Sequence, residues 1–153
     1  MKQSLLNRPA AAMEGFFRSM AASDRPEHTD EFKRQMLRKM LANSSATMAA
    51  PEVSSLLSLF VEWSLVSDSR MLNLTGFSLF TELAEKRPEE YRAHVTPNLI
   101  LDLLSSSVYT SGDRGDLVRL VAEMIRLLKA ASSAADTEQL RSVCNVTRNK
   151  VRR

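Results

Sequence analysis

The sequence predicts an all-α protein, and three observations lead to that prediction. Apolar residues recur at spacings of three and four along most of the 153 residues, and no period-two alternation is sustained. Four glycines and five prolines are too few for the turns of a many-stranded sandwich or barrel. Leu, Met and Ala are abundant while aromatic residues make up only 6%, a mixture that favours helix over sheet.

The length predicts a single domain over residues 1–153, with residues 1–8 and 150–153 expected to fray. A hydrophobic content of 44% and a charged content of 25% are ordinary for a globular protein. They exclude an intrinsically disordered chain, which would lack the apolar residues needed for a core.

The first two helices are predicted over residues 9–22 and 29–41. Pro9 falls in the first turn of the first helix, where its missing N–H costs little. Thr29 is a good N-cap for the second helix. A loop of small residues, 43–50, follows. The apolar stripe of the second helix consists of Phe32, Met36, Leu37, Met40 and Leu41.

The third helix, from Pro51 to about Val66, is predicted to be the central one. Its apolar residues, including Trp63, cover nearly the whole circumference, as expected of a helix buried on several sides. The segment 67–69 caps a fourth helix that extends to about Lys86. The predicted core residues of this fourth helix are Leu72, Phe77, Leu79, Phe80 and Leu83.

Two further helices begin at proline residues. Pro88 opens a short helix over 88–94, and Thr96-Pro97, a hydroxyl cap followed by proline, opens a helix over 97–109. Leu103 lies on the apolar face of the second of these helices.

The helix predicted over 116–131 has the most clearly separated polar and apolar faces in the chain. Asp136 and Gln139 then resemble a capping box that begins a last helix over 137–149. The polar stripe of the helix over 116–131 consists of Asp116, Arg119, Glu123 and Arg126.

Seven or eight helices can close into a bundle or stack into a solenoid. A shift of the sequence by 41 residues places Phe80 on Val121 and Leu83 on Met124. The same shift places Leu99 of the following helix on Leu140. A period near this length is typical of HEAT and armadillo units.

The stretch LFTELAEKRPEEYRAHVTPNLILDLLSSS, residues 79–107, resembles the HEAT/armadillo family of helical repeats. It resembles a first repeat helix, a proline-marked turn and a second helix that opens with Thr-Pro. Residues 116–149 resemble a second unit more loosely. The resemblance implies an α–α superhelix that binds protein segments along one face, as a short solenoid or one end of a longer one. It brings no shared catalytic residues, and a closed helical bundle is the alternative fold.

No catalytic or cofactor chemistry is predicted. Neither His28 nor His94 has a second histidine or a cysteine three or four residues away, and a single cysteine cannot provide a zinc-binding spacing. That cysteine, Cys144, lies on the apolar side of its helix, where a structural thiol is expected. We therefore expect a non-enzymatic protein without metal or cofactor.

The expected location is intracellular, either cytoplasmic or nuclear. The N-terminal residues lack the apolar run of a signal peptide, and one cysteine fits a reducing compartment. No run of about 18 apolar residues is present, so no membrane partner is expected.

The preferred function is that of a protein–protein interaction module, a scaffold or adaptor for a peptide or helical segment. In a helical repeat the helices at 97–109 and 137–149 would lie side by side. Their outward residues would form a polar strip with small side chains, which suits hydrogen bonding to a peptide but would equally keep an outer face soluble. The predicted strip consists of Asn98, Asp102, Ser105, Gln139, Ser142 and Asn145.

The alternative function is binding of nucleic acid or another polyanion through basic termini. The net charge is +3, but residues 51–110 hold four Lys/Arg and eight Asp/Glu, whereas residues 111–153 hold nine and five. The acidic middle would repel a polyanion, so protein binding is preferred. The densest basic stretch, equally typical of a solvated helix end, consists of Arg148, Lys150, Arg152 and Arg153.

Overall fold

The computed structural model describes residues 10–66, 69–105 and 114–131, and these ranges contain seven α-helices and no strand. The prediction of an all-α protein is confirmed for this part of the chain. The predicted last helix and the predicted frayed ends lie outside it. The helices are α1 (Ala10–Ala22), α2 (Asp30–Ser44), α3 (Ala50–Val66), α4 (Arg70–Lys86), α5 (Pro88–His94), α6 (Pro97–Ser105) and α7 (Arg114–Ala131).

The helix starts follow the predicted capping residues. The hydroxyl oxygen of Thr29 accepts a hydrogen bond from the N–H of Phe32 at 3.2 Å, which caps α2. Ser69 caps α4 in the same way through the N–H of Leu72, at 3.3 Å. The hydroxyl of Thr96 caps α6 by accepting a hydrogen bond from the N–H of Leu99, at 3.2 Å. Short polar side chains before each helix therefore set where it begins.

The end of α2 differs from the prediction. The loop of small residues was expected from residue 43, but α2 continues to Ser44. The hydroxyl of Ser44 donates a hydrogen bond to the carbonyl oxygen of Met40 at 2.7 Å. A serine that bonds back to the preceding turn is compatible with helix, and here it prolongs α2 by three residues beyond the predicted end.

The predicted central position of α3 is confirmed. This helix contacts α1, α4, α5 and α7. Its side chains Leu56, Leu57 and Phe60 are fully buried, and Trp63 is only 5% exposed. The aromatic rings of Phe60 and Trp63 pack with centroids 5.8 Å apart. The helix α3 therefore contributes several of the large buried side chains of the described core.

A glycine allows α4 to approach α3 closely. A Cβ atom at Gly76 would lie 2.9 Å from the Cβ of Trp63 and 3.0 Å from the carbonyl oxygen of Phe60. Real Cβ atoms essentially never come this close to such neighbours. The contact between the two helices therefore depends on the absence of a side chain at position 76.

Helices about 40 residues apart in sequence lie next to each other. On α1 and α3, Glu14 accepts a hydrogen bond from Ser55 at 3.0 Å, and Arg18 pairs with Glu62 at 2.9 Å. The residue numbers rise together along both helices, so α1 and α3 run parallel.

The same relation holds for α4 and α7. Thr81 donates a hydrogen bond to Glu123 at 3.1 Å, and Glu85 pairs with Arg126 at 3.4 Å. These pairs are separated by 42 and 41 residues. The helices α4 and α7 are therefore parallel neighbours, and α2 contacts α4 as well.

Candidate functional site

A groove runs along the exposed side of α4, between α2 and α7. It consists of two adjoining depressions that share Arg38 and Ser78, and we call the whole surface the α4 groove. The first depression, of about 370 Å³, is lined by Arg34, Arg38, Met71, Leu74, Thr75 and Ser78. The second, of about 450 Å³, is lined by Arg38, Phe77, Ser78, Leu79, Thr81, Glu82, Glu85, Lys86 and Glu123.

Helical periodicity along α4 explains the apolar floor of the groove. Leu79, Phe80 and Leu83 are fully buried in the core. Leu74 and Ser78, four residues apart, lie on the other side of the helix and are exposed. Leu74 is 45% exposed, and the partly exposed Met71 lines the same depression, so the two form a small apolar patch. The small side chain of Ser78 leaves space between α2 and α7, and this space forms the depression.

The first depression is positively charged. Two arginines line it and no acidic residue does. Arg34 is already paired with Glu31, whose carboxylate accepts a hydrogen bond from the arginine Nε at 3.1 Å. This arginine lowers the pKa of Glu31. Arg38 makes no ion pair with any residue of the described ranges, so its guanidinium is available to an outside partner.

The second depression contains more acidic groups, but they have partners within the protein. Glu82 lies 3.7 Å from Lys86. Glu123 and Glu85 both pair with Arg126. Charge at this end of the groove is therefore largely balanced, in contrast to the end at Arg38.

The polar stripe predicted on the helix over 116–131 lies against α4. The guanidinium of Arg119 lies 4.7 Å from the centroid of the Phe77 ring, within range of a cation–π interaction. Asp116 lies 3.5 Å from Arg70 and 3.6 Å from Arg119. The stripe thus joins α7 to α4, and its Glu123 lines the second depression of the α4 groove.

Of the residues predicted from sequence for peptide binding, the three on α6 lie on a different surface from the α4 groove. Asn98, Asp102 and Ser105 are exposed on α6, and none of them lines the α4 groove. The other predicted strip residues, Gln139, Ser142 and Asn145, lie outside the described residues, as do Arg148, Lys150, Arg152 and Arg153. The polar strip for peptide binding and the basic stretch for polyanion binding therefore stay predictions.

Sequence reasoning missed the α4 groove, although one signal was present. Leu74 belongs to a strongly helical segment but is not among its predicted core residues. Leu74 lies outside the predicted apolar face of this helix, four residues before Ser78. An apolar residue in such a position indicates where the chain exposes apolar area.

The two histidines have hydroxyl neighbours. His94 Nε2 lies 3.1 Å from the hydroxyl of Ser58, and burial lowers the pKa of His94. His28 Nδ1 lies 2.6 Å from the hydroxyl of Ser23. Within the described ranges, no group of three or more His, Cys, Asp or Glu side chains could hold a metal ion. Cys144 lies outside those ranges.

None of the helices in the described part of the chain is both long enough and apolar enough to cross a membrane.

Comparison with known proteins adds no assignment to this surface. No protein-family model matches the chain, and no curated protein or solved structure matches it significantly. The α4 groove is therefore interpreted from its own chemistry: an exposed apolar side chain at Leu74, a cation at Arg38 that pairs with no carboxylate in the described ranges, and a balanced acidic end.

Proposed function

We propose that this protein is a non-catalytic protein–protein interaction module, a scaffold or adaptor that binds a segment of a partner protein in the α4 groove. The observation that carries the proposal is the exposed Leu74 beside Arg38, which has no ion-pair partner among the described residues, on one concave surface. A pocket floor that is apolar and a rim that can form charge-assisted hydrogen bonds are typical of protein-binding sites. Covering both would remove apolar area from water and give the arginine a partner.

The helix contacts support stacked helical hairpins of the HEAT/armadillo type as the scaffold. In such a stack each helix contacts the equivalent helix of the next unit, and alternate helices line one face. The neighbours α1 and α3 and the neighbours α4 and α7 are parallel and joined by residues 41 to 44 apart. Under this arrangement α2, α4 and α7 form the face that carries the α4 groove, and a closed bundle is the alternative.

Ion pairing within the protein favours a protein partner over a polyanion. Arg18 is paired with Glu14 and Glu62, and Arg126 is paired with Glu85 and Glu123. Nucleic acid binding would have to draw such cations away from their carboxylates, because affinity for nucleic acid depends on free cations along a surface.

Site-specific photo-crosslinking tests the proposal. A photo-crosslinking amino acid replaces Leu74 or Ser78 in the full chain, expressed in the cells that naturally contain it. As a matched control it replaces Ala93, which is exposed on α5 outside the groove. We expect adducts at positions 74 and 78 that resist nuclease, are removed by protease and are absent at position 93.

Two results would contradict the proposal. Equal adduct yields at all three positions would mean that the α4 groove is not a preferred surface. Adducts that disappear on nuclease treatment would assign the surface to nucleic acid, the alternative function.

A further inference from the structure

The α4 groove specifies the chemistry of its occupant. We propose that the occupant is an acidic amphipathic α-helix, which places an apolar stripe on Leu74 and Met71 and a carboxylate on Arg38. This inference rests on the proposed function and deepens it, because it states the secondary structure and the charge of the bound segment.

The lining of the groove favours a helix over an extended segment. An extended peptide brings N–H and C=O groups that need hydrogen-bond partners when water is removed. Four apolar side chains, Met71, Leu74, Phe77 and Leu79, line the groove, and the hydroxyl of Thr75 is already directed at the sulfur of Met71, at 3.5 Å. A helix satisfies its own backbone groups and needs only an apolar stripe. The 17 residues of α4 give the groove a length of about 25 Å at 1.5 Å per residue, room for four to five turns.

The charge of the first depression selects a carboxylate on the bound helix. Two arginines and no carboxylate line the first depression. Arg34 keeps Glu31 as its partner, but Arg38 has none within the described ranges. A carboxylate from the occupant would form a forked, charge-assisted pair with that guanidinium. A lysine or arginine at the same point would be repelled.

The position of Arg38 also sets where the carboxylate must lie. Arg38 lines both depressions, so it is near the middle of the groove. At the far end Glu82 and Glu123 have cation partners already, and a basic occupant gains little there. We therefore expect the acidic residue of the bound helix to lie one helical turn away from its central apolar residues.

A library of displayed helices tests the inference without knowledge of the natural partner. The probes are idealised 17-residue helices with one face randomised, selected on the full-length protein. We expect enriched sequences with Leu or Met at helical spacing and a net negative charge. Their affinity should fall by about tenfold for Arg38→Glu, and less for Arg38→Lys, which keeps the charge but loses the fork.

Lys39 provides the matched control. It neighbours Arg38 on α2, is exposed and does not line the groove. Lys39→Glu makes the same change in net charge and should leave the affinity within about twofold, because a charge off the contact surface acts only through screened long-range fields. Far-UV circular dichroism shows that each variant keeps the helical content of the parent.

The outcomes separate the inference from the proposed function. Enrichment of neutral or basic helices that require Leu74 but tolerate Arg38→Glu would overturn the acidic helix and leave the binding groove standing. Equal losses for Arg38→Glu and Lys39→Glu would also overturn it, since net charge alone would explain both. If no enriched helix loses affinity on Leu74→Asp, the groove is not a binding site and both proposals fail.

Discussion

The two sides of α4 are built on different chemistry. Against α3, the helix packs through Gly76 onto Trp63 and Phe60, with no space for a further side chain. Against α7, it also makes hydrogen bonds and ion pairs, among them Thr81 with Glu123 and Glu85 with Arg126.

The two sides of α4 differ in how much they stabilise the fold and in how accessible they are to solvent. The interface with α3 removes large side chains from water, and Asn73 adds a hydrogen bond to the carbonyl oxygen of Trp63 at 2.7 Å. The polar interface consists of half-exposed charges, such as Glu85 and Arg126, at 57% and 56% exposure, which contribute little to stability in water. It does specify how α4 and α7 align, because Thr81 and Glu85 of α4 meet Glu123 and Arg126 of α7 at matching positions along the two helices. The charged, solvent-exposed side of α4 is also the side that carries the α4 groove.

The largest effect is expected from the apolar side. Phe80→Ala removes a fully buried ring that packs edge-to-face with Tyr91 at 5.7 Å. We expect a loss of about 2–5 kcal/mol in the free energy of unfolding, measured by urea denaturation. Leu103→Ala, at a buried position of α6, should have a loss in the same range. Changes below about 0.5 kcal/mol at both positions would mean that the buried faces are assigned wrongly.

A pair of glycine substitutions tests the close approach of α3 and α4. Gly76→Ala should lower the free energy of unfolding by about 1–3 kcal/mol, because its Cβ would collide with Trp63 and the backbone of Phe60. Gly15 provides the control, since a Cβ built there meets nothing within 4 Å. Gly15→Ala should stabilise by roughly 0.5–1 kcal/mol through helix propensity. The same sign at both positions would rule out a steric role for Gly76.

A substitution at Tyr91 is expected to have an intermediate effect on stability, because this residue is buried but makes a polar contact between α5 and α7. Its hydroxyl donates a hydrogen bond to the carbonyl oxygen of Met124 at 2.8 Å. Tyr91→Phe should cost about 0.5–1.5 kcal/mol in a thermal or urea unfolding measurement.

The pH dependence of Tyr91 gives a second readout. Burial raises the pKa of this phenol above its ordinary value of 10.0. The folded state therefore keeps the proton to higher pH than the unfolded state does. The protonated Tyr91 phenol makes its full contribution to the free energy of unfolding below pH 10. That contribution is lost as the pH rises beyond 10. Tyr91→Phe should flatten this alkaline loss, and an unchanged pH profile would show that another group causes it.

The smallest effect is expected from the polar side. Arg126→Ala removes the partner of Glu85 and Glu123 but exposes no apolar core. The midpoint of urea unfolding should stay within the error of the measurement, and added salt should not change that result. A loss comparable to that of Phe80→Ala would mean that both sides of α4 contribute equally to stability.

Local signals in the sequence predicted the helices well. Thr29 and Pro88 mark helix starts because capping and φ restriction act within one turn and need no distant partner. Trp63 was predicted as core from the apolar circumference of its helix, and this is confirmed. The end of α2 was predicted less well, because Ser44 can either end a helix or bond back to it.

Other features depend on residues that are far apart in sequence. Arg87 donates hydrogen bonds to the carbonyl oxygens of Ser45 and Met48, at 2.9 and 2.7 Å, and so attaches the loop after α2 to the start of α5. Nothing near Arg87 in the sequence indicates this role. Gly76 likewise resembles any helical glycine until α3 is placed against it.

The amino-acid sequence by itself determined the helical class, the helix starts and the apolar face of each helix, because periodicity and capping are local properties. Only the tertiary structure decided which polar residues face a neighbour and which face solvent. The stripe on α7 and the arginines on α2 look alike as patterns, yet Arg126 is paired across to α4 while Arg38 is left without an ion-pair partner among the described residues. The groove exists because α2 and α7 meet α4 from two sides, and such a meeting of distant segments is set by packing rather than by any local pattern.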